Sequence, residues 1–172
     1  METKVFFVEK QKFKQKWVWI LLGAINLVFF YGIIQQLYFK IPFGNNPTGD
    51  KGLIISTLLF LVFCFLFSRI CLTTIISEHS ITIQLNNFKK IKKTINWEDV
   101  ASCEIRKYKP ILEYGGWGIR FGMNGMAYNM YGNMGIQLTL KSGSKILIGT
   151  NESELISPII KEINESTLGR TL

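Results

Sequence analysis

Histidine, cysteine and acidic side chains carry much of protein chemistry, and in this chain they are few and scattered. His79 is the only histidine, and it lies in the string Ser-Glu-His-Ser, which is typical of a solvated turn. The acids that follow show no spacing that would pair them for acid–base catalysis: Glu98, Asp99, Glu104 and Glu113. Zinc, phosphate-loop and nucleophile-elbow motifs do not occur. The sequence therefore predicts a protein that is not an enzyme and that holds no metal or cofactor.

The sulfur-containing residues could bind Cu(I) or form disulfides, but their pattern favours neither. Three widely spaced cysteines, Cys64, Cys71 and Cys103, favour ordinary reduced thiols. Four methionines fall in one Met- and Gly-rich stretch between Met123 and Met134, yet no Cys or His joins them as a copper ligand. We predict a loop or hairpin with partly buried methionines there, and a protein-contact surface as the alternative.

A lysine cluster is the first candidate for binding, and it consists of Lys89, Lys90, Lys92 and Lys93. Lysines at this density are typical of an edge strand, where they discourage pairing with other chains. They would also bind the anionic headgroups of a membrane leaflet. Both interpretations remain open at this point.

The string Tyr-Gly-Gly-Trp-Gly-Ile-Arg, residues 114–120, is the second candidate. Tyr114 could supply flat contact area, and Arg120 could donate two hydrogen bonds to a carboxylate or phosphate. The alternative is a bulged strand in which Trp117, Ile119 and Phe121 pack in the core, with Arg120 paired to an acid such as Glu113. We predict that Trp117 is a core residue, and we keep Tyr114 and Arg120 as candidates for a binding face.

Two uncharged apolar runs precede these candidates, Trp17–Ile34 and Gly52–Ser68. At about 1.5 Å per helical residue, each covers most of the ~30 Å hydrocarbon core of a bilayer. The first run has no small-residue cleavage site of the kind that ends a signal peptide. Neither run keeps the polar stripe of a helix buried in a soluble protein. We predict a transmembrane hairpin over residues 17–71, with spans at about 17–34 and 52–71 and an external loop at 35–51.

The positions of the lysines predict the orientation of this hairpin. Residues 1–16 form a basic N-terminus, and Arg69 and the lysine cluster follow the second span, whereas the loop contains only Lys40 and Lys51. Lys- and Arg-rich flanks stay in the cytoplasm, so both termini should be cytoplasmic. The formal net charge of +8 is concentrated near the membrane. It is explained by topology and anionic lipid without a nucleic-acid partner.

After the hairpin, the hydrophobic pattern changes to the two-residue period of β-strands. Residues 80–85, 101–106, 117–121 and 136–140 alternate in this way, and residues 140–148 indicate a hairpin. Leu155, Ile156, Ile159, Ile160 and Ile163 share one face of a C-terminal helix. Asn151 is one candidate for the N-cap of this helix, and Ser157 before Pro158 is the other. We predict that residues 72–172 fold as one domain of about seven strands and a terminal helix.

Several of these strings resemble a known family. Ile95-Asn96-Trp97-Glu98-Asp99-Val100, residues 114–120, and Gly132-Asn133 with Gly135-Ile136-Gln137-Leu138 resemble bacterial two-span membrane proteins that carry a pleckstrin-homology-like domain. The resemblance covers about residues 17–165. It implies a strongly bent β barrel or sandwich capped by one helix, in the bacterial cytoplasmic membrane, and it implies no particular activity.

These observations predict two functions from different classes. The first is a non-enzymatic membrane-anchored module that scaffolds a protein partner or self-associates at the cytoplasmic face. The alternative is a lipid- or ligand-sensing domain that binds anionic headgroups through the lysine cluster. Because the hairpin already anchors the chain, we favour the first.

Overall fold

The computed structural model describes residues 4–86, 91–122 and 124–168. The chain forms two compact units. One unit is helical and comprises Gln15–Arg69. The other, which we call the sheet domain, combines Met1–Lys14 with Ile70–Leu172.

The helical unit is an antiparallel pair of helices. Helix α1 spans Lys16–Ile33 and continues as a π-helical segment, Ile34–Tyr38, and helix α2 spans Asp50–Ser68. Phe29 packs on Phe60, with ring centroids 5.6 Å apart. The Gln36 side chain donates to the Thr48 carbonyl at 2.8 Å and so closes the connecting loop. Both helices are long and apolar enough to cross a membrane. In an apolar stretch of 18 residues, 6% of the first helix and 11% of the second are buried.

Strand β1, Val5–Lys12, is the main difference from the sequence analysis, which assigned residues 1–16 to a basic tail. It pairs antiparallel with strand β2, Cys71–Ser77. The whole helical unit separates these two strands in the sequence. Its hydrophobic pattern is misleading because Glu9 and Gln11 are the buried residues, while Val5 and Val8 are half exposed. Hydropathy alone could not detect a strand that buries its polar side chains.

Hydrogen bonds compensate for the burial of these polar side chains. The Glu9 carboxylate accepts from the Thr150 hydroxyl at 2.7 Å and from the Asn151 backbone N–H at 2.9 Å. The Gln11 amide donates to the Gly149 carbonyl at 2.6 Å. Burial raises the pKa of the Glu9 carboxyl above its ordinary value, and the hydrogen bonds from Asn151 and Thr150 oppose that shift. Strand β1 is therefore fixed to the domain by both its backbone and its side chains.

Two sheets build the domain. The first has the order β1-β2-β3-β4, with β3 at Ser80–Asn86 and β4 at Ile91–Asn96. A short 3-10 turn, Trp97–Asp99, leads to β5 at Val100–Lys107. Helix α3 follows at Pro110–Tyr114. The remaining strands are β6 at Gly118–Gly122, β7 at Gly125–Asn129, β8 at Met134–Leu140 and β9 at Lys145–Thr150.

The second sheet has the order β5-β8-β9-β7-β6, so β6 lies at its edge. All its pairs are antiparallel except β7 with β9. The hairpin predicted over residues 140–148 is confirmed as the β8–β9 connection. The described part of the chain thus has nine strands in two sheets, and neither sheet closes into a barrel. The sequence analysis predicted about seven strands after the hairpin, where the described residues form eight, β2 to β9. Of the barrel and the sandwich that the resemblance implied, the closed barrel is wrong.

Helix α4, Ser153–Ile163, packs on the core that the two sheets share. Ile156, Ile160 and Ile163 are buried as predicted, but Leu155 is 62% exposed. Neither predicted cap is used. Glu152 precedes the first helical residue, no side chain caps the helix, and Pro158 lies inside it. The Asn151 backbone is instead held by Glu9.

Candidate functional site

The structure separates the candidate residues of the sequence analysis. Lys92 and Lys93 lie on β4, an edge strand, as predicted for the lysine cluster. Lys89 and Lys90 fall outside the described residues. Tyr114 lies in α3, and Arg120 lies on β6. Lys92 and Lys93 therefore belong to the first sheet, whereas Arg120 belongs to the second sheet and Tyr114 to α3.

Tyr114 has a structural role, since it is 3% exposed and its ring packs edge-to-face on Tyr108 at 6.1 Å. The predicted ion pair of Arg120 with Glu113 is also wrong. Arg106 takes that place, with its guanidinium 2.8 Å from the Glu113 carboxylate. The hydrogen bond from Arg106 holds the pKa of the Glu113 carboxyl below its ordinary value. Arg120 instead donates from Nε to the Trp117 carbonyl at 3.0 Å.

The prediction that Trp117, Ile119 and Phe121 pack in the core is contradicted. Trp117 is partly exposed, and its ring N–H donates to the Gly132 carbonyl at 3.0 Å. Ile119 is 37% exposed and Phe121 is 82% exposed. The physical reason is that β6 is the last strand of its sheet. Its inward-facing side chains therefore extend past the core that the other strands cover.

Phe121 lines an open groove of about 720 Å³ on the side of the domain where β6 and β4 end the two sheets. We call this the edge groove. Its wall includes Met126, the cross-strand partner of Phe121, together with Leu140 and Ile146. Lys93 enters it from the opposite sheet. The remaining described lining residues are Gly122, Asn124, Gly125, Gly143, Ser144 and Lys145.

The edge groove combines apolar side chains with polar and positively charged ones. Lys93 Nζ lies 5.9 Å from the centroid of the Tyr128 ring, a cation–π distance that holds the lysine over the second sheet. Lys145 supplies a second cation, and the described lining residues include no Asp or Glu. Such a surface is complementary to a ligand that has both apolar and anionic groups.

A glycine turn shapes the groove. Gly125 has φ of +90°, and a Cβ at this position would overlap the carbonyl oxygen of Lys145. The first residue of β7 can therefore lie directly against Lys145, the first residue of β9, only if it is glycine. Sequence reasoning noted the glycines but gave no signal for Lys145, because that residue joins Lys93 only through the stacking of the two sheets.

The remaining reactive groups show no catalytic arrangement within residues 4–86, 91–122 and 124–168. His79 lies in the β2–β3 turn as predicted, and no group of three or more His, Cys, Asp and Glu could hold a metal ion there. Burial raises the pKa of the Cys103 thiol to about 12. Met126 and Met134 are partly buried and Met130 is 1% exposed, whereas Met123 lies outside the described residues.

No protein-family model matches the chain, and no curated protein matches it. Function must therefore be inferred from the residues and their geometry.

Proposed function

We propose that this chain is a non-enzymatic, membrane-anchored interaction module of the bacterial cytoplasmic membrane. The helical hairpin is the anchor, and the edge groove of the sheet domain binds an extended protein segment at the cytoplasmic face. The observation that carries the proposal is Phe121, a large aromatic side chain 82% exposed on an edge strand and beside lysines. Exposed apolar surface with a polar rim is typical of protein-interaction sites.

The anchoring is supported by the surface of the two helices. Large apolar side chains of α1 and α2 are exposed, among them Ile20 at 71%, Leu27 at 70% and Leu59 at 65%. A helix buried in the core of a soluble protein would cover such residues, whereas hydrocarbon lipid chains solvate them favourably. The two helices are therefore consistent with membrane spans.

The pairing of β1 with β2 supports a topology with both flanks on one side. Lys12 precedes the hairpin and Cys71 follows it, yet they are register partners in one sheet. A sheet cannot form across a bilayer, so the chain must cross the membrane an even number of times between them. The lysines of both flanks then favour the cytoplasmic side.

Cysteine labelling tests this topology. We expect that Asn46→Cys is labelled by a membrane-impermeant reagent in intact cells and that Ser142→Cys is not, with Cys64 and Cys71 replaced by Ser in both. Native Cys103 should add little background because burial raises the pKa of its thiol to about 12. Labelling of Ser142→Cys but not of Asn46→Cys would show that the orientation is the opposite of the one proposed.

The edge groove suits an extended protein segment for two reasons. A segment that adds to the outer edge of β6 would gain backbone hydrogen bonds, and its alternate side chains would lie beside Phe121. Lys93 and Lys145 would then attract carboxylates on the same segment. The segment can belong to a partner protein or to a second copy of this chain.

Photo-crosslinking tests the groove. We expect that a photoreactive phenylalanine at position 121 of the full-length protein forms a defined adduct in membranes. Lys145→Glu should weaken that adduct without changing the melting temperature, because Lys145 is exposed. Adding Lys93→Glu should abolish the adduct and lower the melting temperature slightly, because the cation–π contact of Lys93 with Tyr128 is lost. An adduct of twice the mass of the chain would identify self-association.

Leu155 provides the matched control, since it is 62% exposed on α4 and lies outside the edge groove. The same photoreactive residue at position 155 should give no such adduct. Equal adducts at both positions would contradict the proposal. Crosslinks to lipid alone at position 121, lost in high salt, would favour the lipid-binding alternative.

A further inference from the structure

The connecting loop of the helical unit, residues 39–49, folds back along α1 instead of extending away from it. The Phe43 ring packs on Gly32, where a Cβ would lie 2.8 Å from the ring. The same ring lies edge-to-face against Tyr31, with ring centroids 6.1 Å apart. Gly32 precedes Tyr38, the last residue of the π-helical segment, by six residues, or about 9 Å at the rise of an α-helix. Phe43 therefore lies beside α1 well before the helix ends.

A left-handed turn at Lys40 reverses the chain. Lys40 has φ of +60°, a backbone conformation that glycine usually supplies. The Ile41 N–H then donates to the Gln35 carbonyl at 3.2 Å, which is the six-residue hydrogen bond of a Schellman motif. The direction of the loop is therefore set by the way in which the helix ends.

Two glutamine side chains bond to polar backbone groups of the loop. Gln36 is 9% exposed, and its amide donates to the Thr48 carbonyl at 2.8 Å while its carbonyl accepts from the Phe43 N–H at 3.2 Å. The Gln35 amide donates to the Pro42 carbonyl at 3.3 Å. Water would supply such partners to a solvated loop, whereas an irregular segment at membrane depth must find them within the protein. The loop therefore has the internal hydrogen bonds that the membrane requires.

The side chains that this turn leaves exposed are apolar. Tyr38 is 78% exposed, Phe39 is 60% exposed and Ile41 is 56% exposed. Along the chain they follow directly on the exposed apolar surface of α1, where Tyr31 is 62% and Ile34 is 53% exposed. Aromatic side chains are enriched where a membrane span meets the headgroups. The surface of the turn therefore continues the surface that α1 presents to lipid.

We propose that residues 38–43 form a re-entrant turn in the outer-leaflet interface of the membrane, with Phe43 at the depth of Gly32 and the polar residues 44–49 in water. This inference rests on the anchoring given under the proposed function. It places part of the loop predicted at residues 35–51 in the membrane interface. The occupant is lipid rather than a protein, because the turn is continuous with the lipid-facing surface of α1 and bonds its backbone internally.

Quenching of a probe at position 41 tests the inference in the full-length protein. Ile41→Cys, with Cys64→Ser and Cys71→Ser, would carry an environment-sensitive fluorophore after reconstitution into phosphatidylcholine vesicles. The reference is the same probe on Asn46→Cys, because Asn46 is exposed in the polar part of the loop. We expect lipid that is spin-labelled near its headgroup to quench the probe at position 41 severalfold more than the probe at position 46. Aqueous iodide should quench it severalfold less.

Two glycines of α1 give a matched pair of variants. Gly32→Val would displace the Phe43 ring, because a Cβ at Gly32 already overlaps it. Gly23→Val makes the same change on the same helix, where the described residues place nothing within 4 Å of the added Cβ. We expect Gly32→Val to make the probe at position 41 behave like the probe at position 46, and Gly23→Val to leave its quenching unchanged. Equal effects of the two variants would contradict the inference that Phe43 holds the turn at this depth.

The remaining outcomes separate the turn from the anchoring. If the probes at positions 41 and 46 are quenched alike while the protein resists alkaline carbonate extraction, the re-entrant turn is disproved and the anchoring stands. Extraction by carbonate would disprove the anchoring itself, and the inference with it. A probe at position 41 that is shielded from iodide but not quenched by lipid would indicate a protein contact and would also overturn the inference.

Discussion

Residues 70–172 expressed alone are expected to remain unfolded, whereas a chain that joins residues 1–14 to residue 70 through a short linker should fold as a soluble domain. The fragment lacks β1, which forms one side of the first sheet and contributes Phe6 and Phe7 to the edge of the core. Its loss also removes the Glu9 carboxylate from Thr150 and Asn151. These losses are comparable with the ~5–15 kcal/mol that holds a typical domain folded.

The joined chain needs only a short linker, because Lys12 and Cys71 are antiparallel partners whose Cα atoms lie about 5 Å apart in such a pair. A few glycine and serine residues in place of residues 15–69 would make an ordinary hairpin. Circular dichroism and thermal melts of the two chains give the measurement. Glu9→Ala with Gln11→Ala in the joined chain should lower the melting temperature, which separates the side-chain contribution from that of the backbone. A cooperative melt of residues 70–172 at the same temperature as the joined chain would refute the assignment of β1 to the domain.

Trp97→Ala is expected to lower the free energy of unfolding of the joined domain by about 3–5 kcal/mol. Trp97 is 1% exposed in the shared core, and its ring N–H donates to the Ser77 carbonyl at 2.8 Å. Its backbone N–H donates to the His79 carbonyl at 3.0 Å. Alanine would leave a large cavity and a buried carbonyl without its donor. Urea unfolding, followed by far-UV circular dichroism, measures the loss.

Trp117→Ala is the matched control, since it removes the same atoms from a partly exposed position. We expect it to cost at most about 2 kcal/mol, from one hydrogen bond to Gly132 and partial burial. This reverses the expectation from the sequence, which placed Trp117 in the core. If the two substitutions lowered the free energy of unfolding equally, the greater burial of Trp97 would not explain its contribution to stability.

The sequence determined those features that depend on neighbouring residues. The two uncharged apolar runs predicted the two long helices. The two-residue alternation predicted β3, β5 and β8 within one or two residues of their observed ends. The glycine-containing loop at residues 141–144 gave the β8–β9 hairpin. Local hydrophobic period and turn chemistry are sufficient for such elements, because the same few residues both carry the pattern and form the structure.

Only the tertiary structure decided which strands meet and which faces are covered. Strand β1 pairs with a strand that begins after the whole hairpin, and its buried side chains are polar because partners on β9 satisfy them. Residues 117–121 alternate like a core strand, but β6 is the edge strand of its sheet. Phe121 therefore lines the edge groove. Lys93 and Lys145 become neighbours of that groove only when the two sheets stack. Local pattern fixes the period of a strand, but whether its apolar face is buried depends on segments far away in the chain.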